Sequence, residues 1–310
     1  MTARVLFASH TPLKDYLSPG EEVERCVADA LGKLRKTAAE FEPDLVVAIG
    51  PDHFNGFFYQ AMPSFCIGMD AYSVGDWNTP EGPVLVERSI AEGVAQALLD
   101  NDVDVAISHR MDIDHGFTQL LVQLFEWSNM PPVVPIFVNC VGHPLPSIRR
   151  VIRFGAVLGE YFRGFNGKVL ITASGGLSHD PPIPNLDTAP EPVRERLIAG
   201  GRWTQEERRK RQERVLSEAA SQHSGQSQRV PLNPEWDQRF LSQLQSHNFR
   251  ELEDLNDDAI SKDAGCGGHE IRTWVMAAAC AHQLGVKQYE LLYYEPIPEW
   301  IAGYGVMRSI

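Results

Sequence analysis

Four of the ten histidines, His10, His53, His115 and His179, each stand just beyond a short apolar run that reads as a strand. A neutral imidazole can ligate a metal through either ring nitrogen, and the same ring moves protons near neutral pH. Four brought together would therefore make a metal centre, an acid-base site, or both. In an open α/β sheet the carboxyl ends of the strands share one rim where ligands bind, so residues far apart in sequence can converge there. Taken singly, each of these histidines reads as a hydrogen-bonded loop or core residue; taken together, their placement points to a common rim. His109 ends the strand that leads to His115 and competes with it, whereas His143, His223, His247 and His282 fall in loops or helices and read as structural or exposed.

A metal site needs an oxygen ligand beside its imidazoles, because two histidines and one carboxylate leave three octahedral positions open for substrates. Glu270 stands apart from the other acids, at the start of a helix and just after the glycine-rich stretch 265–268, where bare backbone can come close to the rim. Its alternative reading is a glutamate favoured by the helix dipole. Asp52 and Asp114 directly precede rim histidines and read as groups that orient an imidazole through its other ring nitrogen.

Three competing motifs fail on their spacing. His269-Glu270 does not open an HExxH zinc site, since the fifth position is Thr273. Gly176-Leu177-Ser178 hints at a nucleophile elbow, but Asp180 replaces the closing glycine and Pro181-Pro182 follows where a helix is required. Gly265-Cys266-Gly267 lacks the preceding strand and third glycine of a dinucleotide fingerprint.

The elements that must carry these residues alternate between strand and helix periodicity, which predicts an α/β fold with a largely parallel sheet. Val5–Ala8 reads as a strand, Val23, Val27, Leu31, Leu34 and Ala38 as one face of a helix, and Leu45–Ile49 as a strand apolar on both faces. A helix over about 84–99 leads to a strand at 103–108, and the strand 133–138 to a helix carrying Ile148, Val151, Ile152, Val157 and Tyr161, then to a strand at 169–173. A last helix runs from near His269 to Gly285, and a strand at 289–294 ends the regular structure before the segment 296–305 (PIPEWIAGYG). The chain reads as one catalytic domain, 1–310, with a charged helical insertion near 185–230. The run 206–214 (EERRKRQER) within it reads as a solvated helix, a lid or subunit contact being the alternative.

Composition narrows the partners. With 28 Lys+Arg against 41 Asp+Glu the net charge is −13, which disfavours nucleic acid and anionic membranes, and an anionic substrate needs a locally positive site. No apolar run approaches a membrane span or a signal peptide, so a cytoplasmic protein is expected. The five cysteines, Cys26, Cys66, Cys140, Cys266 and Cys280, form no CxxC pair and read as inert thiols.

The segments 8–13 (ASHTPL), 51–59 (PDHFNGFFY), 114–117 (DHGF), 174–179 (SGGLSH) and 269–274 (HEIRTW) together resemble the class III extradiol dioxygenases, and the likeness runs nearly end to end. The resemblance implies an α/β sheet-and-helix sandwich with its active site on the rim, and O2-dependent opening of a catechol ring, most simply a carboxylated catechol. It implies Fe(II) held by His10, His53 and Glu270, with His115 as acid and His179 as base. It also implies a homo-oligomer with no separate lid subunit. Phe57, Phe58 and Tyr59 follow His53 closely enough to line a pocket for a flat ring, core packing being the alternative. Arg272 could meet a substrate carboxylate, but two positions from Glu270 on a helix it faces substantially away. A zinc hydrolase or lyase on the same rim, or a binding scaffold without catalysis, are the rival readings.

Overall fold

The computed structural model describes residues 2–310. Its strands are β1 (Thr2–Ala8), β2 (Leu45–Gly50), β3 (Phe65–Gly68), β4 (Ala71–Val74), β5 (Glu81–Val84), β6 (Ala106–Ser108), β7 (Met111–Ile113), β8 (Val133–Val138), β9 (Lys168–Ser174), β10 (Tyr289–Ile297) and β11 (Ala302–Ser309). Its helices are α1 (Glu21–Phe41), α2 (Arg88–Asp100), α3 (His115–Leu124), α4 (Ile148–Arg163), α5 (Glu191–Ala199), α6 (Gln205–His223), α7 (Pro234–Gln245), α8 (Phe249–Glu253), α9 (Asp257–Ala264) and α10 (Ile271–Gln283).

Eight strands make the main sheet in the order β10-β11-β1-β9-β2-β8-β3-β6, and β5-β4-β7 make a small second one. The four central strands β1, β9, β2 and β8 are mutually parallel. Side chains alternate across a strand, and here the alternation divides the core in two. Val5, Phe7, Val47 and Ile49 pack with α2, α4 and α10, while Leu6, Ala8, Val46 and Ala48 pack with α1 and α3. The result is a three-layer α/β/α sandwich, in agreement with the expected class.

Several boundaries differ from the sequence reading, each for a local reason. Val84 ends β5 rather than opening a helix, Val86 bridges to Val133, and α2 starts only at Arg88. The strand expected at 103–108 shrinks to Ala106–Ser108, because Asp102 turns the chain with a φ of 59°. The segment 296–305 is not the end of regular structure: β10 continues to Ile297, a tight turn passes Ile301 at a φ of 51°, and β11 follows antiparallel between β10 and β1. Pro296 is tolerated because β10 is an edge strand. Gly303 is required because a Cβ there would stand 2.1 Å from Asp237 Oδ2. The sheet is accordingly mixed at both edges around a parallel centre.

Helix α10, which follows Glu270, is pressed onto α4 by small residues. A Cβ at Gly155 would lie 2.4 Å from the Met276 carbonyl oxygen, and one at Gly159 2.5 Å from that of Cys280. Backbone atoms cannot rotate aside as a side-chain tip can, so Gly155→Val must part the two helices. We expect it to cost about 1–3 kcal/mol, seen as a lower urea midpoint at unchanged m-value.

Candidate metal and acid-base site

His10, His179 and His53 follow β1, β9 and β2, three strands adjacent in the sheet and parallel, so their loops leave the same rim side by side. His115 arrives by another route. It is the first residue of α3 and follows β7 of the small sheet, with Asp114 as N-cap accepting from the Gly116 amide at 2.8 Å. Glu270 sits where a 3-10 turn over Cys266–Glu270 hands over to α10.

These five side chains meet. Glu270 Oε1 lies 3.2 Å from His53 Nε2 and 3.5 Å from His179 Nε2, and Oε2 lies 3.5 Å from His10 Nε2. The Gly176 amide donates to Oε2 at 2.6 Å, and Glu270 is only 1% exposed. The His53 and His115 rings stack at 4.4 Å between centroids, with His10 edge-on to both. His10, His53 and His115 also offer ligand nitrogens all within 4.8 Å of one another, so by spacing alone His115 rivals Glu270 as third ligand. Glu270, however, is the buried anion that touches both His10 and His53, whereas His115 already has a carboxylate of its own.

The far nitrogen of each ring is engaged. His53 Nδ1 lies 3.1 Å from Asp114 Oδ2, which also accepts from the His53 amide at 2.8 Å. His115 Nδ1 lies 2.6 Å from Asp76 Oδ2, while Asp76 Oδ1 accepts the His115 amide at 2.8 Å. His179 Nδ1 must donate to the Leu177 carbonyl at 2.9 Å, since a carbonyl only accepts. His10 Nδ1 pairs with Ser174 Oγ at 3.0 Å. Each ring thus turns Nε2 to the shared centre. His179 is further confined by glycines: a Cβ on Gly267 would fall 2.1 Å from its Nε2, and one on Gly176 2.3 Å from its ring.

Burial lowers the His10 pKa to about 3, only partly opposed by Glu270, which keeps that ring neutral and fit to ligate. Burial also opposes charge on His53 and His179, but it is outweighed, by Asp114 and Glu270 at His53 and by Glu270 and the Leu177 carbonyl at His179, so both are raised. Glu270 is held well below the usual carboxylate range despite its burial, by His10 and His179 foremost. An anionic carboxylate ringed by inward Nε2 atoms calls for positive charge at the centre, which protons supply without a metal and a dication would supply with one. The donor set therefore fits a divalent ion that accepts imidazole and carboxylate.

Asp76 was not foreseen in the sequence. It lies in the loop after β4, within a region whose short strands carry little periodicity; the signal is the turn segment 75–78 (GDWN), where Gly75, Trp77 and Asn78 all have positive φ. Asp52 corrects an expectation. Its oxygens accept the backbone amides of Asn55, Gly56 and Phe57 at 2.9–3.3 Å, so it shapes the loop after His53 and orients no imidazole. Asp114 reaches back to His53 and not to the His115 beside it. The aromatic expectation is also corrected: Phe57 stacks on Phe137 at 3.8 Å, Phe58 packs against Gly200, and the Tyr59 ring lies 5.5 Å from that of Phe54, so none of the three lines the cavity. The aromatic walls are Phe54, Trp77, Trp203 and Trp300, around a cavity of about 820 Å³ that opens onto His10, His53, His115 and His179. Arg272 is fully buried against Pro146, His269 and Asp257. His109, His143, His223 and His282 are exposed. Ser178 is locked between Asp237 and the Asn233 amide, which ends its candidacy as a nucleophile.

The charged run 206–214 is more than a solvated helix. α6 does carry solvent-exposed pairs, Lys210 with Glu206 at 2.6 Å and Arg209 with Glu213 at 2.7 Å. Its inner face roofs the cavity: Arg211 donates to the His53 carbonyl at 2.5 Å, Arg208 to that of Val74 at 3.1 Å, and Trp203, just before α6, to that of Phe54 at 3.1 Å. Among the described residues no helix is long and apolar enough to cross a membrane, and all five cysteines are free.

Residues 4–306 match the family described as the catalytic LigB subunit of aromatic ring-opening dioxygenase. The chain is 44% identical, over all of its length and 98% of the relative's, to a 2,3-dihydroxyphenylpropionate/2,3-dihydroxicinnamic acid 1,2-dioxygenase from Dechloromonas aromatica. It is also 44% identical to a protein so named from Pseudomonas putida, covering all of this chain and 99% of that one, and 42% identical to one from Photorhabdus laumondii, covering all of this chain and 98% of that one. Among solved structures, an uncharacterized protein from Escherichia coli K12 aligns over 98% of each chain with a TM-score of 0.54 at 13% identity, a likeness of fold alone.

The Asp114 carboxylate holds His53 by both its amide and its ring. Asp114→Ala should therefore weaken metal affinity about 10- to 100-fold, measured by competition with a chelator. Asp76→Ala, which releases only His115, should leave that affinity within a few-fold of the parent.

Proposed function

The chain belongs to the family of catalytic subunits of aromatic ring-opening dioxygenases, and from that premise we propose that it cleaves 2,3-dihydroxyphenylpropionate or 2,3-dihydroxycinnamate with O2 beside the diol. The observation that carries this reading is the convergence of four imidazoles and Glu270 on one rim. In this reading His10, His53 and Glu270 hold Fe(II). When bound, Fe(II) supplies Lewis acidity toward the catechol hydroxyls and a route for electrons between catechol and O2.

The chain's own groups manage the protons. His179, with Nδ1–H spent on the Leu177 carbonyl, has an Nε2 lone pair to accept a catechol proton, and Glu270 nearby stabilises the charge gained. His115, fixed by Asp76, lines the same cavity and serves as the acid for the oxygen that departs as the ring opens. Phe54, Trp77 and Trp300 keep water from the ring. The segment 185–230 is read as an insertion that closes the site from above. A homo-oligomer in the cytoplasm completes the proposal; five free thiols suit a reducing compartment.

The test is anaerobic loading with Fe(II), then air and 2,3-dihydroxyphenylpropionate, with O2 uptake and the yellow ring-opened product recorded together. One O2 per product is expected; turnover that needs Zn(II) and no O2 would move the assignment to a metal hydrolase. His115→Ala and His179→Ala should keep iron and lose turnover by about 10²- to 10⁴-fold. His10→Ala, His53→Ala and Glu270→Ala should lose the iron, and full retention in all five variants would refute the assignment. Gly267→Ala, which must displace the His179 ring, should cut turnover on the order of 10²-fold with iron retained.

A further inference from the structure

The cavity wall carries four cations. Lys210 is paired with Glu206, and Arg196 donates to the Gly201 carbonyl at 2.6 Å and lies over Trp203 at 4.1 Å, against 5.3 Å for Arg211 over the same ring. The other two, Arg211 and Arg214, are three residues apart on α6 and so share one helix face. Among the described residues neither has a carboxylate within ion-pair distance. The acids of the same wall are spent elsewhere, Glu207 on the Thr204 cap at 2.8 Å and Glu213 on Arg209. Asp52, Asp76 and Asp114, whose fields reach Arg211, are committed to backbone amides and imidazoles. Arg211 uses one guanidinium donor on the His53 carbonyl, which leaves four of its five N–H groups to other partners.

Two like charges side by side at a half-buried wall repel one another unless an anion sits between them. Burial foremost, and Arg214 beside it, lower the Arg211 pKa. A planar fork pairs best with a carboxylate. On the basis of the catechol reading given above, we propose that Arg211 and Arg214 bind the side-chain carboxylate of the catechol and so set which side chain the enzyme accepts. Arg211 is one hydrogen bond from the backbone of His53, so its guanidinium stands on the wall of the cavity that the histidine cluster lines. The ligand class is an aromatic ring with a carboxylate two or three bonds along a side chain. An uncharged alkyl chain leaves the pair unanswered.

The test compares kcat/KM for 2,3-dihydroxyphenylpropionate and for uncharged 3-propylcatechol in the iron-loaded parent, Arg211→Gln and Arg214→Gln. The acid-to-neutral ratio should fall about 10- to 100-fold in each variant, mostly through KM. A parallel fall on both substrates would show that the arginines act only by supporting the His53 loop, and an unchanged ratio would show that they do not read the carboxylate; either overturns the proposal. Arg214 is exposed and makes no bond to the scaffold, so its variant folds even if Arg211→Gln does not. The dissociation constant of 3-phenylpropionate, which has the carboxylate but no diol, should rise by the same factor. If the parent opens neither catechol, the ring-cleavage reading fails, while weakened 3-phenylpropionate binding in the variants still supports the arginine pair and unchanged binding overturns it.

Discussion

A carboxylate withdrawn from water must be matched by positive charge or it protonates, and the Glu270 side chain is matched from several directions at once. His10, His53 and His179 approach its oxygens within 3.5 Å, and the Gly176 amide donates to one of them. Removing one partner of such a buried set typically costs about 3–5 kcal/mol, because the remaining charge is left uncompensated. The arrangement can persist only if the loops after β1, β2 and β9 and the start of α10 are all held in register. The close α4–α10 packing, the bare backbone of Gly265–Gly268 and the order of the central strands are each conditions for that one cluster.

Other acids do the holding. Asp52 gathers three amides of the loop after His53, Asp76 ties His115 to the small sheet, and Asp180 accepts from the Cys266 and Val230 amides. Asp237 receives the Ser178 amide, the Ser178 hydroxyl and the Tyr294 hydroxyl, all at 2.7 Å. A carboxyl group that accepts several bonds at once can fix a loop that no regular structure stabilises.

The three-layer class and the buried strands were legible because β2, β8 and β9 are apolar on both faces, a pattern that survives any detail of packing. The convergence of His10, His53 and His179 was legible from the rim rule. For His115 the same rule pointed to the right region for a wrong reason, since its strand belongs to the small sheet. Asp76, β4, β5 and β7 were not legible: strands of three or four residues give periodicity too little length, and the Asp76–His115 pairing is visible only once β4 and β7 lie side by side. Phe57–Tyr59 misled because closeness in sequence to His53 does not fix direction. The Asp52 loop leaves those rings half-buried against Phe137, Gly200 and Phe54, and leaves Phe54, at a φ of 56°, facing the cavity.

Chemistry and side-chain recognition are carried by different parts of the chain. The histidines hang from strands and helices of the sandwich, so their mutual geometry is tied to the sheet. The cationic roof belongs to α6, which touches the site through bonds to the carbonyls of His53 and Val74. Those bonds tie the roof to the rim without involving any imidazole nitrogen. An acidic protein that repels anions at long range needs such a local field to admit one. The inner face of α6 supplies it on the wall of the cavity, where Arg211 is partly withdrawn from water and charges interact more strongly than in bulk.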